Sequence, residues 1–152
     1  MTIAWSDRMQ LKELDNRQVH TVAIHLASAE VIMRTRLRVD MCPGPRARIT
    51  VGGKPIEITS RRSGDWQTNI AQPLLDDTVA AILVDFASEV PAFYIVPAPW
   101  FKEKVSHGHA EFMAGRDKRP QNPESKHHRV TTNDVAKWLG CWDILAEVCG
   151  HE

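Results

Sequence analysis

The stretch Glu57-Ile58-Thr59, with Arg61 just beyond it, carries the residue types that most nearly suit hydrolytic chemistry in this sequence. Residues two apart on an extended chain point to one face, so Glu57, Thr59 and Arg61 would project together from a strand. A carboxylate that holds Mg²⁺ beside a cation that polarises water or a phosphate is a workable hydrolytic arrangement. One carboxylate alone holds Mg²⁺ weakly, because the ion draws on further ligands or on substrate phosphates. The nearest acid upstream is Asp40, and Lys54 falls on the opposite parity. Arginine can hold a phosphate, but it stays protonated and is a poorer proton carrier than lysine.

Other constellations carry less. His107, His109, His127 and His128, with Cys141 and Cys149, lack the paired two-to-five-residue spacing of a structural zinc site, and read as loop histidines. No Gly-x-Ser-x-Gly elbow marks a nucleophile, and Gly52-Gly53 lacks the further glycine and helix start of a phosphate-cradling loop. Residues 130–140 resemble the first helix and turn of a helix-turn-helix binder. The segment that would follow as a recognition helix holds Asp143, Glu147 and Glu152 and no Lys or Arg, which would repel phosphates. An ordinary capped helix is the simpler reading.

Charge is balanced overall, with 19 basic and 19 acidic residues, so the whole molecule is not the strongly basic kind that coats nucleic acid. Its distribution is uneven. From Arg34 to Arg62 eight basic residues face two acids, Asp40 and Glu57, a local excess of six, whereas residues 63–101 carry acids alone up to Phe101. Arg46, Arg48, Arg61 and Arg62 are thus candidate phosphate contacts, against the plainer reading of a solvated face. Aromatic stacking platforms need adjacent cations, which only Trp66 and Trp100 have.

The elements that must position these residues follow from periodicity. Apolar residues at helical spacing over 6–34 predict two helices or one broken helix, with Ser6 and the Asp15-Asn16 pair as caps. Alternation at Leu37, Val39 and Met41 predicts a strand ended by Pro43-Gly44-Pro45. Residues 46–51 and 54–60 flank Gly52-Gly53 as a tight hairpin. A polar connection, 61–77, leads to two apolar runs, 78–87 and 93–96, that suit strands covered on both faces. A helix from 99 to 113, a surface loop over 115–129 and a helix capped near Thr132 complete the chain.

At 152 residues this is the size of one domain with one core, spanning 1–152. No run approaches the roughly 20 apolar residues that cross a bilayer, and no export signal opens the chain, so a cytoplasmic location without membrane association is expected. Cys42, Cys141 and Cys149, an odd number, suit free thiols.

The order of elements, together with Ala81-Ile82-Leu83-Val84-Asp85-Phe86, Pro91 to Pro97, Trp100, His109, Asn122-Pro123 and Trp142-Asp143-Ile144-Leu145, resembles bacterial domains of the PD-(D/E)XK restriction-endonuclease-like superfamily. The resemblance implies an α/β fold, a mixed sheet with N-terminal helices, a central β-hairpin and a C-terminal helix. It also implies an acid on one hairpin strand, about where Ala47 or Arg48 stands, and a Glu-x-Lys on the next. Here Glu57-Ile58-Thr59 lacks the lysine. The expectation is a non-catalytic nuclease-like domain, with a degenerate active site and no cofactor, that binds nucleic acid or a partner protein, with a homodimer as one possible assembly. Two alternatives stand beside it: an active Mg²⁺-dependent DNA nuclease working through Asp40, Glu57 and Arg61, with Glu57 as the metal ligand and Arg61 swinging back to take the lysine's place, and a pure protein-interaction module.

Overall fold

The computed structural model describes residues 11–42, 44, 46–114 and 127–150. The Ser6 cap, most of the Pro-Gly-Pro break, the 115–126 part of the expected loop and Asn122-Pro123 lie outside the described residues. A 3-10 turn, Leu11–Glu13, precedes helix α1, Asn16–Thr35. Asp15 caps α1 by accepting the Gln18 N–H at 2.8 Å while the Gln18 side chain accepts the Asp15 N–H at 3.0 Å, so two otherwise orphaned donors are satisfied reciprocally. Asp15 thus provides the expected break and cap. Arg36 ends the helix in a left-handed conformation, φ 63°, donating its backbone N–H to Ile32 O.

Strands β1 (Val39–Cys42), β2 (Arg48–Val51) and β3 (Lys54–Arg61) form an antiparallel meander. Gly52 and Gly53, φ 56° and 82°, make the tight turn between β2 and β3 that the sequence predicts. β5 (Ala80–Asp85) runs parallel beside β3, and β6 (Ala92–Pro97) is antiparallel to β5. The mixed sheet therefore has the order β1-β2-β3-β5-β6.

The apolar run at β5 is buried on both faces because each parity has its own core. Ala80, Ile82 and Val84 join Ile49, Ile56, Ile58 and Ile95 under α1 and the last helix, α4 (Asp143–Cys149). Ala81 and Leu83 join Tyr94, Val96, Trp66, Phe101 and Val105 on the opposite side, under α2 (Ala98–Ala114).

Two parts depart from expectation. The connection 61–77 contains a strand, β4 (Trp66–Asn69), and the end of the expected loop is another, β7 (His127–Val130); the two pair antiparallel as a separate ribbon. Neither shows a long alternating run. Trp66 and Thr68 alone carry the inward parity of β4, so burial of one tryptophan creates a strand that local propensity hides. The helix expected near Thr132 is one turn, α3 (Thr132–Val135), capped by Thr131 rather than Thr132 and followed by a 3-10 turn, Ala136–Trp138. No helix among the described residues is long and apolar enough to cross a membrane.

Candidate functional site

Glu57 sits at the centre of β3 and is only 8% exposed. A buried carboxylate costs several kcal/mol unless its lone pairs are taken up by donors. Here they are. Arg46 Nη1 donates to Oε1 at 3.1 Å, while Oε2 accepts the Leu75 N–H at 2.7 Å and the Thr78 hydroxyl at 2.6 Å. Arg46 Nη2 then donates to the Gln72 carbonyl at 2.6 Å. Glu57 and Arg46 together fasten the 72–78 connection across the sheet.

Arg48 stands directly opposite Glu57 in the β2–β3 register. Its guanidinium turns to Asp77, 2.9 Å away. Further along β3, Arg61 faces Asp85 of β5 in register; Nη2 to Oδ2 is 2.7 Å, and both side chains are nearly enclosed, 13% and 11% exposed. The Arg61 guanidinium carbon also lies 4.7 Å from the Trp66 ring centroid, a cation–π contact. Arg62 donates to the Leu11 carbonyl at 3.0 Å, to the Leu14 carbonyl at 2.7 Å and to the Asn16 side chain, holding the turn before α1 against the end of β3.

Asp40, the distant member of the expected catalytic set, is on β1 opposite Thr50. It shares the face of Glu57 but lies two strands away, about 10 Å at ordinary strand spacing. It is exposed and pairs with Arg38 at 2.9 Å. The structure thus brings Glu57 beside Arg46 and Arg48, binds Arg61 to Asp85, and leaves Asp40 apart.

A cavity of about 250 Å³ opens over this face, lined in part by His20, Arg46, Glu57, Thr59, Asn69 and Phe101. His20 enters from α1, and burial lowers its pKa below the ordinary 6.5. The sequence drew no attention to His20, Thr78 or Asp85 as site residues. Asp85 carried a usable signal, because a lone acid inside an otherwise apolar, fully covered strand requires a partner.

The remaining candidates are placed as follows. Trp66 is 1% exposed, and its Nε1–H donates to the Val84 carbonyl at 3.3 Å, so its ring is not a free stacking surface. Trp100 is half-buried, edge-on to Trp138 with 5.5 Å between centroids, and Lys137 lies 5.0 Å from each ring. His128 packs on Gly108 of α2, where a Cβ would come within 2.7 Å of Nε2. The side chains of His109 and His127 lie outside the described residues, and among the described residues no three His, Cys, Asp or Glu are grouped to hold a metal. The segment that would be a recognition helix, α4, buries Leu145 and Cys149 in the core. No family model, curated protein or solved structure matches this chain.

Proposed function

We propose that this α/β domain is a restriction-endonuclease-like domain whose hydrolytic site is degenerate and which acts by binding. The fold assignment draws on the β1-β2-β3 meander, the parallel β5 beside β3, and α1 packed across them, in the element order that the resemblance implies. One observation carries the functional reading: both oxygens of Glu57 are occupied by donors from within the chain, Arg46, Leu75 and Thr78. The residues around it have the wrong chemistry for a divalent cation. Arg48 stands where the resemblance calls for an acid, Thr59 stands where it calls for lysine, and the Arg46 guanidinium is paired with the Glu57 carboxylate. A cation would have to displace a 3.1 Å ion pair and then find further oxygen ligands among arginines.

Between the two classes of partner, the ion pairs favour protein over nucleic acid. Arg46, Arg48 and Arg61 are each paired with a carboxylate, and Arg62 is spent on backbone carbonyls, so phosphate contact by any of them would first break an internal bond. Incubation with plasmid and single-stranded DNA in Mg²⁺ or Mn²⁺ tests the loss of hydrolysis; the expected result is no cutting. Robust cleavage that disappears in Glu57→Ala would overturn the proposal. Fluorescence anisotropy with labelled DNA at low salt tests the partner class, with negligible affinity expected. Tight, salt-sensitive binding weakened by charge reversal at Arg48 would instead assign a nucleic-acid partner.

A further inference from the structure

We infer that β1 is a self-pairing edge, through which two copies of this chain associate by antiparallel strand addition into one continuous sheet. The two ends of the five-stranded sheet differ. At the β6 end, Leu139 forms a bridge with Tyr94, and the Gly140 N–H donates to the Phe93 carbonyl at 2.8 Å, so that edge is closed by the chain itself. At the β1 end, no strand among the described residues pairs with the outer side. An open edge presents a row of unsatisfied backbone groups and is a template for another strand.

The hydrogen-bond phase fixes which residues are available. Gly52 donates its N–H to the Arg38 carbonyl at 2.8 Å, and Val39 is opposite Val51, so position 38 bonds inward toward β2. In an antiparallel ladder inward and outward positions alternate, which points the N–H and C=O of Val39 and Met41 away from β2, while just before the strand the Leu37 N–H is taken by the Thr35 hydroxyl at 3.2 Å.

The side chains fit a two-fold axis through Val39. Antiparallel pairing about that residue sets Leu37 against Met41, Arg38 against Asp40 and Val39 against itself. The sequence Leu37-Arg38-Val39-Asp40-Met41 is therefore self-complementary in both polarity and charge. The same register makes Val39 a hydrogen-bonded pair and brings Arg38 and Asp40 into the closer, non-hydrogen-bonded spacing, about 4.5 Å between Cα atoms. A shift of one residue in the axis keeps the backbone phase but sets Asp40 against Asp40, so charge selects the register. A two-fold interface uses the same patch on each copy, as this one does.

The surroundings agree. Arg38 and Asp40 have side chains 83% and 50% exposed, free to exchange their mutual ion pair for a crossed pair between copies. Met41 is 53% exposed, and Ile32 and Met33, at the end of α1 just before the strand, are 49% and 81% exposed. These account for three of the five exposed large hydrophobics among the described residues, all between positions 32 and 41. The inference does not depend on whether the nuclease-like site is degenerate.

Sedimentation equilibrium of the full chain over a range of concentrations tests it. A reversible monomer–dimer equilibrium is expected for the wild type. Asp40→Arg or Arg38→Asp alone sets like charges across the axis twice and should weaken the dimer roughly tenfold or more. The exchanged double variant, Arg38→Asp with Asp40→Arg, restores opposite charges and should recover wild-type association. Val39→Pro removes an outward N–H without removing a β1–β2 hydrogen bond and should give a monomer; because Val39 also packs against the core, far-UV circular dichroism checks that this variant is folded. A wild type that stays monomeric throughout overturns the inference. So does a dimer indifferent to the single charge reversals, or one that the exchanged double variant fails to restore.

Discussion

The Arg61 guanidinium and the Asp85 carboxylate meet 2.7 Å apart on neighbouring parallel strands, each almost enclosed by protein. The pair joins the basic first part of the chain to its acidic middle. Arg46–Glu57 lies within the basic part, whereas Arg48–Asp77, like Arg61–Asp85, crosses from one part to the other. Part of the uneven charge distribution is in this way consumed by folding rather than displayed.

Removing one member of such a pair leaves a charge buried without its partner, which costs about 3 to 5 kcal/mol. Asp85→Leu and Arg61→Met should each lower unfolding free energy by about that much. The double variant Arg61→Met with Asp85→Leu should lose less than either single change, because no unpaired charge remains. Urea denaturation of the four proteins decides the matter. Additive losses would show that the two groups are not coupled.

The hairpin turn provides a second test, because its two glycines have different surroundings. A Cβ on Gly52 would lie 2.6 Å from the backbone carbonyl oxygen of Cys149, while one on Gly53 would meet nothing within 4 Å. Both have positive φ, so alanine at Gly53 should cost about 1 kcal/mol for the left-handed backbone alone. Gly52→Ala adds the collision with the end of α4 and should cost about 3 kcal/mol. Equal midpoint shifts for the two variants would contradict the close approach of turn and helix.

His20 gives the pH dependence a definite sign. Burial lowers its pKa in the folded state below the 6.5 of a free imidazole, so below that pH the unfolded chain binds the proton more readily. Stability from this residue is intact above 6.5 and is lost as the pH falls through that value toward the lower folded-state pKa. Thermal midpoints between about pH 8 and about pH 5 should fall more steeply for the wild type than for His20→Gln. Parallel curves would remove His20 as the cause.

Cys149 is 3% exposed, and burial raises its thiol to about 11 despite the opposing pull of Lys54. The thiolate is the reactive form, so little of it exists near neutrality. Iodoacetamide should label Cys42 and Cys141 in the native protein, both half-buried, and reach Cys149 only after denaturation. Rapid native labelling at Cys149, read by peptide mass, would mean that α4 opens readily from the core.

Local patterns in the sequence set much of the framework. Continuous apolar residues in β5 demanded cover on both faces, Gly52-Gly53 demanded a tight turn between two strands, and Asp15 demanded a helix start; each depends on neighbours a few residues away. Tertiary structure decided the rest. β4 and β7 exist because residues about sixty apart pair with each other, and no local period announces that. Which carboxylate each arginine takes was also beyond reach of sequence, since charge composition gives an excess but not a partner. Glu57 read in the sequence as a lone carboxylate with weak hold on Mg²⁺, and only the return of the 72–78 connection over β3 supplied the donors that make burial of its charge tolerable.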